Sequence, residues 1–128
     1  MADQDDVRRI ALALPETREA EDHFSFSVAS RGKQKGFVWA WNERVEPKKP
    51  RVPRSDVVAI RVADRFEKEA LLASDRETFF TEPHYNGVPA VLVRLPRIGL
   101  VELDELIIDA WRSQAPRALV DAFERTET

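Results

Sequence analysis

The chain has 128 residues and a mass of 14.7 kDa, a length that suits one domain, and its 43% hydrophobic and 34% charged residues exclude a disordered segment. It contains no cysteine, so disulfides, thiolate metal sites and thiol nucleophiles are excluded together. The formal net charge of −3 is unevenly spread: residues 31–61 hold nine Lys/Arg against three Asp/Glu, and the remainder holds eleven against twenty. A basic middle in an acidic chain points to an anionic partner or to a solvated basic loop.

In chain order, residues 3–14 predict a helix, because Val7, Ile10, Ala11 and Leu14 form one apolar face and Asp3, Asp5 and Asp6 suit its first turn. Pro15 ends it. Residues 24–29 alternate Phe24, Phe26 and Val28 with small residues, and residues 37–41 alternate Phe37, Trp39 and Trp41 with Val38 and Ala40. Both read as strands of a hairpin, with the three aromatic residues as one core stripe against the helices and residues 30–36 as a flexible basic connection. Pro47, Pro50 and Pro53 make residues 42–56 an extended basic loop. A strand over 57–62 follows, then a helix over 64–73 with Phe66, Ala70 and Ala73 on one side, a short strand at 78–81, and a turn at 83–87 where Asn86-Gly87 favours positive φ. A strand at 90–94, a strongly amphipathic helix at 102–114 (Leu103, Leu106, Ile107, Ala110, Trp111) and a last helix after Pro116 complete the chain.

The order α-β-β-β-α-β-β-α-α predicts an α+β domain over residues 1–128: an antiparallel sheet of about five strands packed on one side by helices. The opening MADQDDVRR is not a signal peptide, and no apolar run reaches the ~20 residues needed to span a bilayer, so the expectation is a cytoplasmic protein without membrane contact.

Four pieces in sequence resemble the MmcQ/YjbR family of small bacterial proteins. They are Ala11-Leu12-Ala13-Leu14-Pro15-Glu16; Phe24 to Val28 leading through Gly32-Lys33 into an aromatic strand; Phe79-Phe80, Pro83-His84-Tyr85-Asn86-Gly87 and Val91-Leu92-Val93-Arg94-Leu95; and Glu105-Leu106-Ile107 with Ala110-Trp111 and Ala115-Pro116-Arg117. The resemblance implies a CyaY/frataxin-like fold and a DNA-binding role for a double-wing arrangement of hairpins. Against the family pattern, the connections at 30–36 and 42–56 are longer and more basic.

Read as chemistry, the chain offers no catalytic constellation: it lacks a Gly-x-Ser-x-Gly turn and a Gly-rich phosphate loop, and His23 lies on the same strand face as Ser25 and Ser27. The acids at 3–6 and 16–22 have no spacing that converges on one metal ion. The expectation is a non-enzymatic domain without cofactor or metal. Two binding readings stand. In the first, double-stranded DNA is held through its phosphates by Arg31, Lys33 and Lys35 on one basic loop and by Arg44, Lys48, Lys49, Arg51 and Arg54 on a neighbouring one. In the second, His84, Tyr85 and Asn86 form a patch for a small ligand or protein partner, with no nucleic-acid contact.

Overall fold

Asp3 starts the first helix, α1 (Gln4–Leu12): its carboxylate accepts from the Asp6 N–H at 3.0 Å and the Asp6 carboxylate accepts from the Asp3 N–H at 3.1 Å. This reciprocal cap satisfies two orphan donors and leaves Val7, Ile10 and Ala11 to be buried. The computed structural model describes residues 2–43 and 48–127. Strands β1 (Thr17–Glu19), β2 (Ser25–Ser30), β3 (Lys33–Glu43), β4 (Val52–Arg61), β5 (Phe79–Phe80) and β6 (Ala90–Arg94) form one antiparallel sheet in the order β1-β2-β3-β4-β6-β5. Helix α2 (Arg65–Ser74) carries the chain from β4 to the edge strand β5, and α3 (Leu100–Gln114) and α4 (Arg117–Glu127) follow β6. The predicted class, an antiparallel sheet packed against helices, is the one observed. β1 is an additional edge strand of three residues, too short to show a period.

Helices α1 and α3 cover one face of the sheet, and α4 packs against this layer. Phe26, Val38, Ile60 and Val91 line up across the sheet by register and share the main core with Val7, Ile10, Leu103 and Ile107. Trp111 is fully buried; its Nε1–H donates to the Pro15 carbonyl at 3.0 Å, and its ring meets Phe123 of α4 at 5.0 Å. One hydrogen bond and one ring contact thus tie both C-terminal helices to the end of α1.

The aromatic stripe expected in β3 is split between the two faces. The register between β2 and β3 shifts so that Phe26 pairs with Val38 but Ser27 with Gly36, leaving Phe37 as the extra residue of a bulge. A bulge inverts the alternation that follows it. Phe37 and Val38 both enter the helix-facing core, whereas Trp39 and Trp41 join a second cluster on the opposite face with Val57, Ala59, Leu92 and Tyr85.

The hairpin joining β2 and β3 is tighter than expected. Ser30 pairs with Lys33, so the connection is Arg31-Gly32 alone, and the residues read as a loop at 33–36 belong to β3. Arg31 (φ 52°) and Gly32 (φ 78°) both adopt the left-handed conformation of the two-residue hairpin turn that matches strand twist. The proline-rich stretch is likewise shorter as a loop, because β4 begins at Val52. Pro53 lies within β4, and the register there shifts between Ala40 and Asn42.

Arginine has no intrinsic preference for the left-handed region, whereas asparagine adopts it readily. Arg31→Asn is therefore expected to raise stability by roughly 0.5 kcal/mol, read as an increased urea midpoint with an unchanged m-value.

Candidate functional site

The eight cations singled out in the sequence do not converge. Consecutive turns of a meander lie at opposite ends of the strand between them, and β3, with eleven residues, separates the Arg31-Gly32 turn from the β3–β4 connection by about 30 Å. Arg31, Lys33 and Lys35 are exposed at one end, and among the described residues none has an ion-pair or hydrogen-bonding side-chain partner. At the other end, Lys48 and Lys49 are exposed, and Arg44 lies outside the described residues. Arg51 donates to the Asn42 carbonyl at 2.8 Å and to Glu82 at 3.4 Å. Arg54 stands inside β4, donating to Asp56 through Nε at 3.0 Å and Nη2 at 2.8 Å and to Glu43 at 2.6 Å. The expected pair of neighbouring basic loops is thus corrected by topology, and two of its members are spent on carboxylates of their own surroundings.

The Arg54 guanidinium holds the Asp56 carboxyl below its ordinary value of 3.8. A carboxyl depressed in the folded state contributes stability that is complete above its unfolded value and is lost as pH falls through the folded one.

The His84-Tyr85-Asn86 patch is divided by the fold. Pro83–Tyr85 form a single 3-10 turn. His84 and Asn86 are exposed, and Tyr85 is buried with its hydroxyl accepting from Trp39 Nε1–H at 3.1 Å. Asn86 (φ −64°) and Gly87 (φ 80°) then make a turn closed by the Val88 N–H donating to the Tyr85 carbonyl at 3.0 Å. The positive φ expected at Asn-Gly falls on Gly87 alone.

Lys68 fixes this turn. Its Nζ donates to the Tyr85 carbonyl at 2.7 Å and to the Val88 carbonyl at 2.9 Å, and the residue is only 8% exposed. Burial lowers its pKa from the ordinary lysine value, because desolvation disfavours the charged form. Between α2 and the turn lies a half-open cavity of about 380 Å³, lined by Arg65, Lys68, Leu72, Thr81, Asn86 and Val88 among others. Its volume is within the lower range of small-molecule sites, roughly 300–1,000 Å³. The Thr81 hydroxyl is buried and has no hydrogen-bond partner.

A second hollow of about 390 Å³ is lined by Asp22, His23, Phe24, Asn42, Arg54 and Ser55. Its charged groups are already engaged: His23 Nδ1 lies 2.6 Å from Asp22, and Arg54 is shared by Asp56 and Glu43. Among the described residues, no group of three His, Asp or Glu side chains is arranged to hold a metal ion.

Sequence reading missed Lys68 and Thr81. It gathered Phe66, Ala70 and Ala73 on one side of α2, yet all three are exposed and Phe66 retains 76% of its surface. The packed side runs through Lys68, Leu71 and Leu72, so α2 presents a lysine at the i position of its own apolar stripe. That spacing was the available signal.

The chain is 42% identical over 132 aligned positions to the uncharacterized proteins Rv2570 of Mycobacterium tuberculosis and Mb2600 of Mycobacterium bovis, with 96% of this chain and 96% of each relative covered. The chain belongs to the family of these mycobacterial proteins. No family model matches it. Among solved structures it is similar to the crystal structure of Deinococcus radiodurans protein DR2400, which carries a DUF419 domain, with a TM-score of 0.64 and 20% identity over 87% of this chain and 77% of that one. At that identity the likeness is one of fold.

Two outcomes follow from the geometry. Thr81→Val removes a buried hydroxyl that satisfies nothing and is expected to stabilise the protein by about 1 kcal/mol, measured by urea denaturation. Arg54→Ala should destabilise the protein at pH 7, and the gap from the parent protein should narrow as pH falls below the ordinary carboxylate value and through the depressed one of Asp56.

Proposed function

We propose that this domain, an MmcQ/YjbR-like protein by its sequence resemblance, is a small-ligand-binding module whose site is the cavity between α2 and the Asn86-Gly87 turn. The observation that carries the reading is the state of the donors there. Among the described residues, a buried ammonium has only neutral acceptors and a buried hydroxyl has none, beside the apolar side chains of Leu72 and Val88. Such a wall combines area for an apolar body with a few convergent polar groups that orient it, which is the usual make-up of a ligand site. The test is a fragment screen followed by amide chemical shifts. Shifts should cluster on Lys68, Thr81, Asn86 and Gly87, and Leu72→Trp, which fills the cavity, should abolish them. Shifts that ignore this cluster would defeat the reading.

A second reading, binding of double-stranded DNA through its phosphates, is favoured by one observation: Arg31 in the two-residue turn and Lys33 and Lys35 at the start of β3 are exposed at one end of the hairpin, without acidic partners among the described residues. A contact restricted to this tip engages about three phosphates, so log K should fall against log salt with a slope near −2.7. Replacing the three by Ala should remove the binding, and replacing Lys48 and Lys49 should leave it. A slope near zero at low ionic strength would exclude the tip as a DNA contact.

A further inference from the structure

The donors of the α2 cavity also define the chemistry of what enters it. An ammonium has three N–H bonds. Two of those on Lys68 are taken by the Tyr85 and Val88 carbonyls, and among the described residues no carboxylate pairs with the charge. A buried cation surrounded by neutral dipoles is left short of an anion, and an anion that reaches it is worth more there than in water. Thr81 adds an O–H with no acceptor. At the rim, Arg65 is 81% exposed and its Nε lies 3.9 Å from Glu69, so the one acid on the wall is held by a neighbouring guanidinium on the solvent side.

From these groups we infer that the cavity recognises a monocarboxylate with an apolar body, one oxygen taking the third N–H of Lys68 and the other the hydroxyl of Thr81. This rests on the cavity reading given above. The count of donors decides between anions. Two spent and two unspent protons suit the two oxygens of a carboxylate, whereas a phosphate presents three or four oxygens and would need the backbone N–H nest or paired arginines that such sites supply. Leu72, Val88 and Pro89 then face the hydrocarbon part of the ligand. The second hollow, beside His23 and Arg54, has no such combination of a buried cation lacking a carboxylate partner with an unspent hydroxyl.

The probes are octanoate, 1-octanol and octylamine, titrated into the full chain at pH 7 and followed by the amide shifts of Thr81 and Gly87. Octanoate is expected to bind at least tenfold more tightly than octanol, with octylamine weakest. Thr81→Val keeps the shape of the side chain and should bring octanoate down by about tenfold while leaving octanol unchanged. Lys68→Met should abolish the preference for octanoate; because it also strips the Tyr85–Val88 turn of its anchor, the Thr81 variant is the decisive one. Equal affinities for octanoate and octanol at the cavity amides would overturn the carboxylate assignment and leave a ligand cavity of apolar preference. Shifts for none of the three up to millimolar concentration would overturn both.

Discussion

The geometry of the candidate site depends on one buried charge. An ammonium taken out of water has to find acceptors, and Lys68 finds two in the backbone of the segment that crosses from β5 to β6. Those two bonds bracket the turn at its first and last carbonyls and fix it against α2. Tyr85, at the start of the turn, is thereby held over the second face of the sheet, where its hydroxyl accepts the Trp39 N–H. The packing beneath is completed by Trp41 against Phe80, ring centroids 5.3 Å apart, and by the Arg94 guanidinium 4.0 Å over the outer side of Phe80. A helix that buries a lysine in place of a phenylalanine thus does two things at once: it closes the second face of the sheet and it leaves a hollow with a cation in its wall.

The second constraint is the meander of β2, β3 and β4. A strand of eleven residues cannot bring the turns at its two ends together, so a cluster of cations that is continuous in sequence becomes two separate groups in space. The electrostatic meaning of the basic middle changes with this. Arg51 and Arg54 neutralise Glu82, Glu43 and Asp56 around the β3–β4 end, and Arg31, Lys33 and Lys35 remain as a compact positive point at the other. Local charge balance, rather than a share in a single extended field, is what Arg51 and Arg54 provide.

Elements whose pattern is strong and local were legible before any coordinates. The stripe Leu103, Leu106, Ile107, Ala110 and Trp111 is the buried side of α3, and the apolar run at 90–94 is β6, because a helix of four turns and a central strand each carry enough repeats for burial to impose its period. The misreadings arise where one residue changes the count. The bulge at Phe37 is invisible to a period-two reading and reverses every side chain after it, so an apparent stripe became two half-stripes on opposite faces. The 30–36 connection looked long because Lys33, Gln34, Lys35 and Gly36 have the composition of a loop. Pairing with β2 nonetheless makes them strand. The site escaped detection for a related reason: Phe66 outweighs Lys68 on any hydrophobicity scale, and only the placement of α2 across the sheet edge decides which of the two is inside.

Unsatisfied buried polar atoms need a physical account, since each costs stability. Four stand out among the described side chains: the Thr17 and Thr81 hydroxyls, the Trp41 indole N–H and the Arg61 Nε. Thr17, Trp41 and Arg61 line neither of the two hollows described above. Of these four residues, Thr81 is the one that lines a hollow described above, the cavity it shares with Lys68. The same chemical defect therefore has a different meaning at this position. Its cost can be recovered reversibly by a bound acceptor, and a donor kept dry and unspent needs no reorganisation when that acceptor arrives. A local loss of stability at Thr81 is, on this argument, the structural counterpart of affinity.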